Sequence, residues 1–338
     1  MSKPIKVIDV AVAVIHYQDQ YLLGYRQAHQ HRGNRYEFVG GKIEANESPK
    51  QGLIREVLEE IGCDLANNPI INMGIIRHDY FDNEKLDKSV ALHIFNIAVT
   101  QAQFDSLQHD IGTEGQLITW VSKADLLAKK YPLPEANVRI LDWLTLPNTI
   151  FISQSLDKFD TNEDWLNFYT KTLPHNANFY IRPQTDSQTH FSLTQALLQQ
   201  RPDILPLIQW QVYQDFAKAF DFSNAIIHLN HQQLIGLDLA NLPKELRYFF
   251  SCHDQNSLSK LNGLAKTHTV MGCFLSPVLA TPTHPEQSGM GWQAFAELAR
   301  LSDVPVFALG GVSADDLPTA WQCGAVGVAG IRLIDGFS

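Results

Sequence analysis

The sequence predicts an α/β protein of two parts, a compact mixed α/β unit followed by a (β/α)8 barrel of TIM type, and three observations lead there. At 338 residues the chain exceeds the usual size of one domain and can bury two hydrophobic cores. The rhythm of strand-like and helix-like blocks changes after Thr145-Leu146-Pro147-Asn148-Thr149, which sets the expected domains at 1–147 and 148–338. Beyond that point eight strand-like runs alternate with helical spacers, the pattern of a closed parallel barrel.

In the first part, aliphatic and aromatic residues recur at strand spacing over residues 7–16 and 21–25, joined by the polar turn Gln18-Asp19-Gln20. A helix starts at Ser48, which suits an N-cap; Pro49 fits the first helical position, Gln51 completes a capping box, and Gly62 supplies the stop. Strands follow over 70–80, 90–99 and 117–121, and a second helix over 135–144. In the second part the strands fall at 150–153, 179–182, 205–210, 225–229, 248–252, 270–276, 304–309 and 326–330, with a helix over 292–301 among the spacers.

A formal net charge of −10 disfavours general attraction to nucleic-acid backbone, while leaving room for a small anionic substrate held locally by a metal and a few cations. Cys63, Cys252, Cys273 and Cys323 form no CxxC pair, so neither a zinc site nor a disulfide framework is signalled. The N-terminus alternates like a strand and lacks the serial regions of a signal peptide, and no long apolar run suggests a membrane span. The expectation is a cytoplasmic protein.

The chemistry concentrates in the segment from Gly41 to Cys63. Its helix sets Glu56 beside Glu59 and Glu60, since residues three and four apart share a face. Like charges at that spacing destabilise a helix, and a hard divalent cation with a preference for carboxylate oxygens relieves the conflict. Gly40 and Gly41 lack Cβ and can bring backbone carbonyls close to a metal, and Arg55 can orient the carboxylates beside it through its planar guanidinium.

These residues resemble the Nudix box, whose glycine, glutamate, Arg-Glu and Glu-Glu positions are all present; Cys63 stands where an aliphatic residue is usual. The resemblance implies a Nudix α/β/α sandwich that hydrolyses a nucleoside polyphosphate with Mg2+, or Mn2+ as a substitute. Over roughly residues 5–145 it extends to the MutT branch, which acts on oxidised purine nucleoside triphosphates of the 8-oxo-dGTP type. Tyr36 to Glu44 looks like that branch's approach to the box, with Val39 in place of a usual proline. By this resemblance Glu114 joins Glu56, Glu59, Glu60 and the Gly40 carbonyl on the metal. Arg26, Phe38, Lys88 and Asn137 fall at substrate positions, Asn137 reading the base with an amide that both donates and accepts. Lys88 stands where arginine is expected and cannot make the same two-pronged contact. Taken alone, Asn137 also fits a helix cap, Phe38 the core, and Arg26 or Lys88 a solvated surface.

Residues 149–338 resemble thiamine phosphate synthase and its TenI-like relatives, through Tyr180-Ile-Arg182, Ile227-His228-Leu229, Ser276-Pro277-Val278, Leu309-Gly310-Gly311-Val312 and the run from Gly324 to Gly330. The resemblance places a phosphorylated ligand on the backbone turns at Gly310, Gly311, Ala329 and Gly330, where barrels often hold phosphate. The catalytic set departs from the family: Gln211-Val212 replaces an Asn-Asp pair, Gln233 a second aspartate, and Gln184 and His284 two lysines. Synthase activity is therefore not expected, while His253 or His284 is compatible with the proton transfers of a TenI-like tautomerase.

Overall fold

The computed structural model describes residues 7–26, 33–82, 85–236, 238, 242–281 and 288–337. The chain divides into two compact units, Met1–Thr145 and Leu146–Ser338.

The first unit is built on a seven-stranded mixed sheet. Its strands are β1 (Val7–Tyr17), β2 (Gln20–Arg26), β3 (Arg35–Glu37), β4 (Val39–Lys42), β5 (Ile70–Asp82), β6 (Lys85–Ala98) and β7 (Leu117–Ser122). The main path runs β3-β2-β1-β6-β5, with β4 paired to β1 and β7 to β2. β1 and β6 are parallel and the remaining pairs antiparallel. β1 reads as an almost unbroken apolar run because both of its faces are covered: Ala11, Ala13 and Ile15 lie in the core under the first helix, while Val12 and Val14 are buried as well.

That helix, α1 (Pro49–Ile61), has the termini the sequence predicts. Ser48 caps it and exchanges a capping box with Gln51, and Gly62 ends it in the left-handed conformation. Leu53, Val57 and Ile61 recur every four residues and bury one stripe against β1 and β4, leaving the glutamates on the other faces. Cys63 is buried in the same core and serves as a small apolar group. The unit has two short helices beyond the two expected, α2 (Gln101–Ser106) and α3 (Lys123–Leu127), before α4 (Glu135–Trp143). Both are too short to show periodicity and are started by side-chain caps, Thr100 with Gln103 and Ser122 with the Asp125 N–H. α4 packs against β5 and buries Ala136, Ile140, Leu141 and Trp143.

The second unit is a closed barrel of eight parallel strands. They are β8 (Thr149–Ile152), β9 (Asn178–Ile181), β10 (Leu205–Gln209), β11 (Ile226–Leu229), β12 (Arg247–Cys252), β13 (Thr269–Leu275), β14 (Val306–Leu309) and β15 (Gly327–Gly330). Each falls on a run anticipated in the sequence. Side chains such as Ile150, Leu207, Phe249, Met271, Phe274 and Phe307 fill the interior, so the barrel is a packed core and not a pore.

Candidate active site

Arg55 organises the polar face of α1. Its Nε donates to Glu47 Oε1 at 2.7 Å and its Nη2 to Glu47 Oε2 at 3.0 Å, a two-pronged pair that also aligns the loop leading into the helix. Nη2 further donates to the Lys42 carbonyl at 3.0 Å, while Nη1 reaches Glu56 Oε1 at 2.9 Å and Glu59 Oε2 at 3.0 Å. Hydrogen bonding by Arg55, joined by the Glu44 N–H, holds the Glu47 carboxyl down at about 2. Glu47 is the glutamate of the box, and its pairing with Arg55 was not read from the sequence because the two lie eight positions apart, beyond helical reach.

Of the two glycines ahead of the helix, Gly40 is required by its close approach to backbone, while Gly41 faces the end of the Glu56 side chain. At Gly40, where φ is 147°, a Cβ would lie 2.1 Å from the Ala11 carbonyl oxygen, and at Gly41 it would lie 2.1 Å from Glu56 Oε2. β4 can therefore run directly beside the carboxylates. The Gly40 N–H donates to Glu60 Oε2 at 3.1 Å, which ties β4 to the helix. Burial pushes the Glu60 carboxyl up to about 8; the Gly40 N–H opposes this and the charges of Glu37, Glu56 and Glu114 reinforce it.

Glu60 and Glu114 line a cavity of about 310 Å³ together with Tyr25, Glu37, Phe38 and Gln116. Glu56 and Glu59 turn toward Arg55, and Glu59 is half exposed. Among the described residues no three His, Cys, Asp or Glu side chains are drawn into a ready-made metal cluster. The donor set nevertheless fits a hard divalent cation. Glu37, Glu56 and Glu114 act on Glu60, and no ion pair joins Glu60 to a cationic side chain among the described residues. Carboxylate oxygens in excess of local positive charge are the ligands Mg2+ takes.

A second cavity, of about 160 Å³, adjoins the first through Glu37 and Phe38. Its walls include Ile8, Val10, Val12, Val90 and Leu92, with Arg26, Lys42, Lys88 and Asn137 among the polar members beside Glu37 and Tyr80. All four sequence-predicted substrate residues thus meet in one pocket. Asn137 does not cap α4: Pro134 occupies the cap position without a side-chain bond. Phe38 is buried and lines both cavities, so core and pocket are one role for it. Arg26 Nε is 2.6 Å from Glu37 Oε1, and burial raises the Glu37 carboxyl against the pull of that guanidinium.

In the second unit, Gly310, Gly311, Ala329 and Gly330 gather at the mouth of a cavity of about 670 Å³, where Arg182 and Arg332 supply positive charge. No aspartate or glutamate is among the described residues lining it. His253 Nδ1 lies 2.7 Å from the Ser276 carbonyl, which can only accept, so that nitrogen carries a proton. The His231 ring sits 4.7 Å from it, centroid to centroid. His228 Nε2 meets Ser251 Oγ at 2.9 Å, and burial lowers its pKa to about 3. The departures read from the sequence have structural roles: Val212 is buried, Gln211 bonds Asp215, and Gln233 exchanges hydrogen bonds with Asn230. His284 lies outside the described residues.

A glutamate-bearing helix set against a glycine strand lies beside the pocket of Arg26, Lys88 and Asn137, and the matches of this unit to known proteins identify it as a pyrophosphohydrolase acting on acid anhydrides. Residues 7–144 match the NUDIX domain model and residues 208–334 the model described as thiamine monophosphate synthase. The 8-oxo-dGTP diphosphatase of Proteus vulgaris is 36% identical over 78 residues, covering 23% of this chain and 68% of that protein. The CTP pyrophosphohydrolase of Escherichia coli is 28% identical over 40% of this chain and 90% of its own length. A putative thiamine-phosphate synthase of Aquifex aeolicus is 36% identical over 59 residues, which are 18% of this chain and 32% of that protein. The chain belongs to the Nudix family, and it carries its Nudix domain fused to a thiamine phosphate synthase-like barrel.

Proposed function

We propose that the Nudix domain hydrolyses an oxidised purine nucleoside triphosphate of the 8-oxo-dGTP type to the monophosphate and pyrophosphate, cleansing the nucleotide pool of the cytoplasm. The observation that carries this reading is the junction at Glu37 and Phe38 of two cavities, one bearing the carboxylates of Glu60 and Glu114 and the other combining an aliphatic wall with the cations Arg26, Lys42 and Lys88 and the amide of Asn137. Glu56, Glu59, Glu60 and Glu114, with the Gly40 carbonyl, are the groups that would hold Mg2+, or Mn2+ in its place. Such an ion neutralises phosphate charge and lowers the pKa of a water nucleophile. Arg55 fixes the direction of Glu56 and Glu59, Arg26 and Lys88 meet the anionic substrate, and Asn137 pairs with the base edge. The substrate is a free nucleotide and not nucleic acid, in keeping with the net charge of −10. No helix among the described residues is long and apolar enough to cross a membrane.

Pyrophosphate release with Mg2+, compared across 8-oxo-dGTP, dGTP, CTP and nucleotide sugars, tests the proposal. Similarity to a CTP pyrophosphohydrolase over 90% of that relative's length favours a second reading, in which the same pocket takes a pyrimidine. Higher kcat/KM for CTP than for 8-oxo-dGTP selects it. The barrel, on this proposal, binds a phosphorylated ligand at Gly310, Gly311, Ala329 and Gly330 without making thiamine phosphate, since its cavity offers arginines but no magnesium-binding carboxylate among the described residues. Formation of thiamine phosphate by the full chain with Mg2+ refutes that part.

A further inference from the structure

The loop carrying Glu114 is tied to the end of α1 by groups the reaction itself does not call for. A helix leaves its last carbonyls without intrahelical partners, and here two of them are claimed by this loop. The Glu60 carbonyl accepts from the Thr113 N–H at 2.8 Å and from Gln116 Nε2 at 2.8 Å, and the Glu59 carbonyl accepts from Thr113 Oγ1. The Gly112 N–H closes the loop on the Gln116 carbonyl at 2.8 Å. The amide of Gln116 can face the helix in one sense only, because the Glu60 carbonyl is an acceptor and must meet Nε2. Its Oε1 is thereby turned away, is buried, and has no hydrogen-bond partner among the described residues. Gln116 lines the cavity shared by Glu60 and Glu114. A buried acceptor left without a donor is costly and calls for a partner that the described residues do not supply.

We propose that Gln116 is a positioning residue of the carboxylate site: Nε2 locks the Glu114 loop onto the last turn of α1, and Oε1 accepts a hydrogen bond from water carried by the divalent cation. This rests on the metal reading above. Residues that orient metal ligands or their waters typically change affinity 10–100-fold when removed. Gln116→Leu removes both functions, whereas Gln116→Glu retains an acceptor oxygen and loses the donor. Thr113→Val loosens the same loop without touching the acceptor.

Mn2+ titration of the full chain, followed by the electron-paramagnetic signal of the free ion, and hydrogen exchange of residues 112–116 read the two halves separately. The expected result is Mn2+ affinity weakened about 10-fold or more in Gln116→Leu, with faster exchange across the loop. Thr113→Val should show faster exchange with a smaller loss of affinity. Gln116→Glu should recover Mn2+ binding relative to Gln116→Leu while its loop still exchanges fast. Parental Mn2+ affinity and parental exchange in a folded Gln116→Leu protein overturn the proposal. If Gln116→Leu does not fold, parental exchange in Thr113→Val together with parental exchange in Gln116→Glu overturns the docking role. If the parent chain takes up no Mn2+, the acceptor role falls with the metal reading, and the exchange data decide the docking role alone.

Discussion

Replacing Arg55 by lysine keeps the positive charge and removes the geometry. The guanidinium makes five hydrogen bonds, two to Glu47 and one each to Glu56, Glu59 and the Lys42 carbonyl, at 2.7 to 3.0 Å. A lysine ammonium is a single point with three donors and cannot span Glu47 on one side and Glu56 and Glu59 on the other. The paired oxygens of Glu47 lose their fork, and Glu56 is left free to turn. Since Arg55 would act on the metal through these carboxylates, the expected loss in kcat/KM is about 10–100-fold, or about 1.4 to 2.7 kcal/mol of barrier. Glu47→Gln should reproduce part of it, and the double variant should lose less than the sum of the two, because the residues act as one unit. The assay is Mg2+-dependent pyrophosphate release from 8-oxo-dGTP, with circular dichroism and thermal melting to verify the fold. Turnover of Arg55→Lys within twofold of the parent, in a folded protein, refutes the orienting role.

Other substitutions probe the remaining parts. Glu59→Gln and Glu60→Gln preserve size and each take a carboxylate from the ligand set, and turnover should fall roughly 100-fold or more in a folded protein; near-parental turnover in both removes them from the metal set. Asn137→Ala should reduce the ratio of kcat/KM for 8-oxo-dGTP over dGTP more than it affects Mn2+ affinity, and an unchanged ratio leaves Asn137 a structural residue of α4. In the barrel, burial lowers the His190 pKa from 6.5 to about 4, so the folded state favours the neutral ring. Its contribution is present above pH 6.5 and is lost as pH falls toward 4, by up to about 3 kcal/mol. Melting temperatures of the parent and His190→Asn across that range should diverge in slope, and parallel curves exclude His190 as the acid-sensitive group.

The barrel was legible because its strands are short apolar runs, each covered on both faces and bounded by turn residues. Val306–Leu309 and Gly327–Gly330 could be placed to within a few residues without knowing what they pair with. α1 was legible for a different reason: its cap, first proline, capping box and terminal glycine are local chemistry, complete within the segment. α2 carries the same kind of signal in Thr100 and Gln103 but only six residues of helix, too few for a periodic stripe. β3 and β4 were hidden because β4 contains Gly40 and Gly41, poor strand formers in isolation, and is defined by its register with β1.

The site was legible in its residue types and less so in its electrostatics. Repulsion among Glu56, Glu59 and Glu60 along the helix pointed to a missing cation, yet Arg55 already serves Glu56 and Glu59 from within the same helix. Helical spacing alone could have shown that for Glu59, four residues on; it could not show Glu47, which saturates the other edge of the guanidinium across a loop. What Arg55 leaves uncompensated is Glu60, turned to the opposite side, held by one backbone N–H and facing Glu37 and Glu114. The proposed metal is therefore worth most at the Glu60 and Glu114 end of the cluster, and this follows from which carboxylates the arginine reaches, a fact of three-dimensional geometry that no spacing along the chain encodes. Gln116 belongs to the same end, because it lines the cavity of Glu60 and Glu114 and its side-chain amide holds the Glu114 loop to the Glu60 carbonyl.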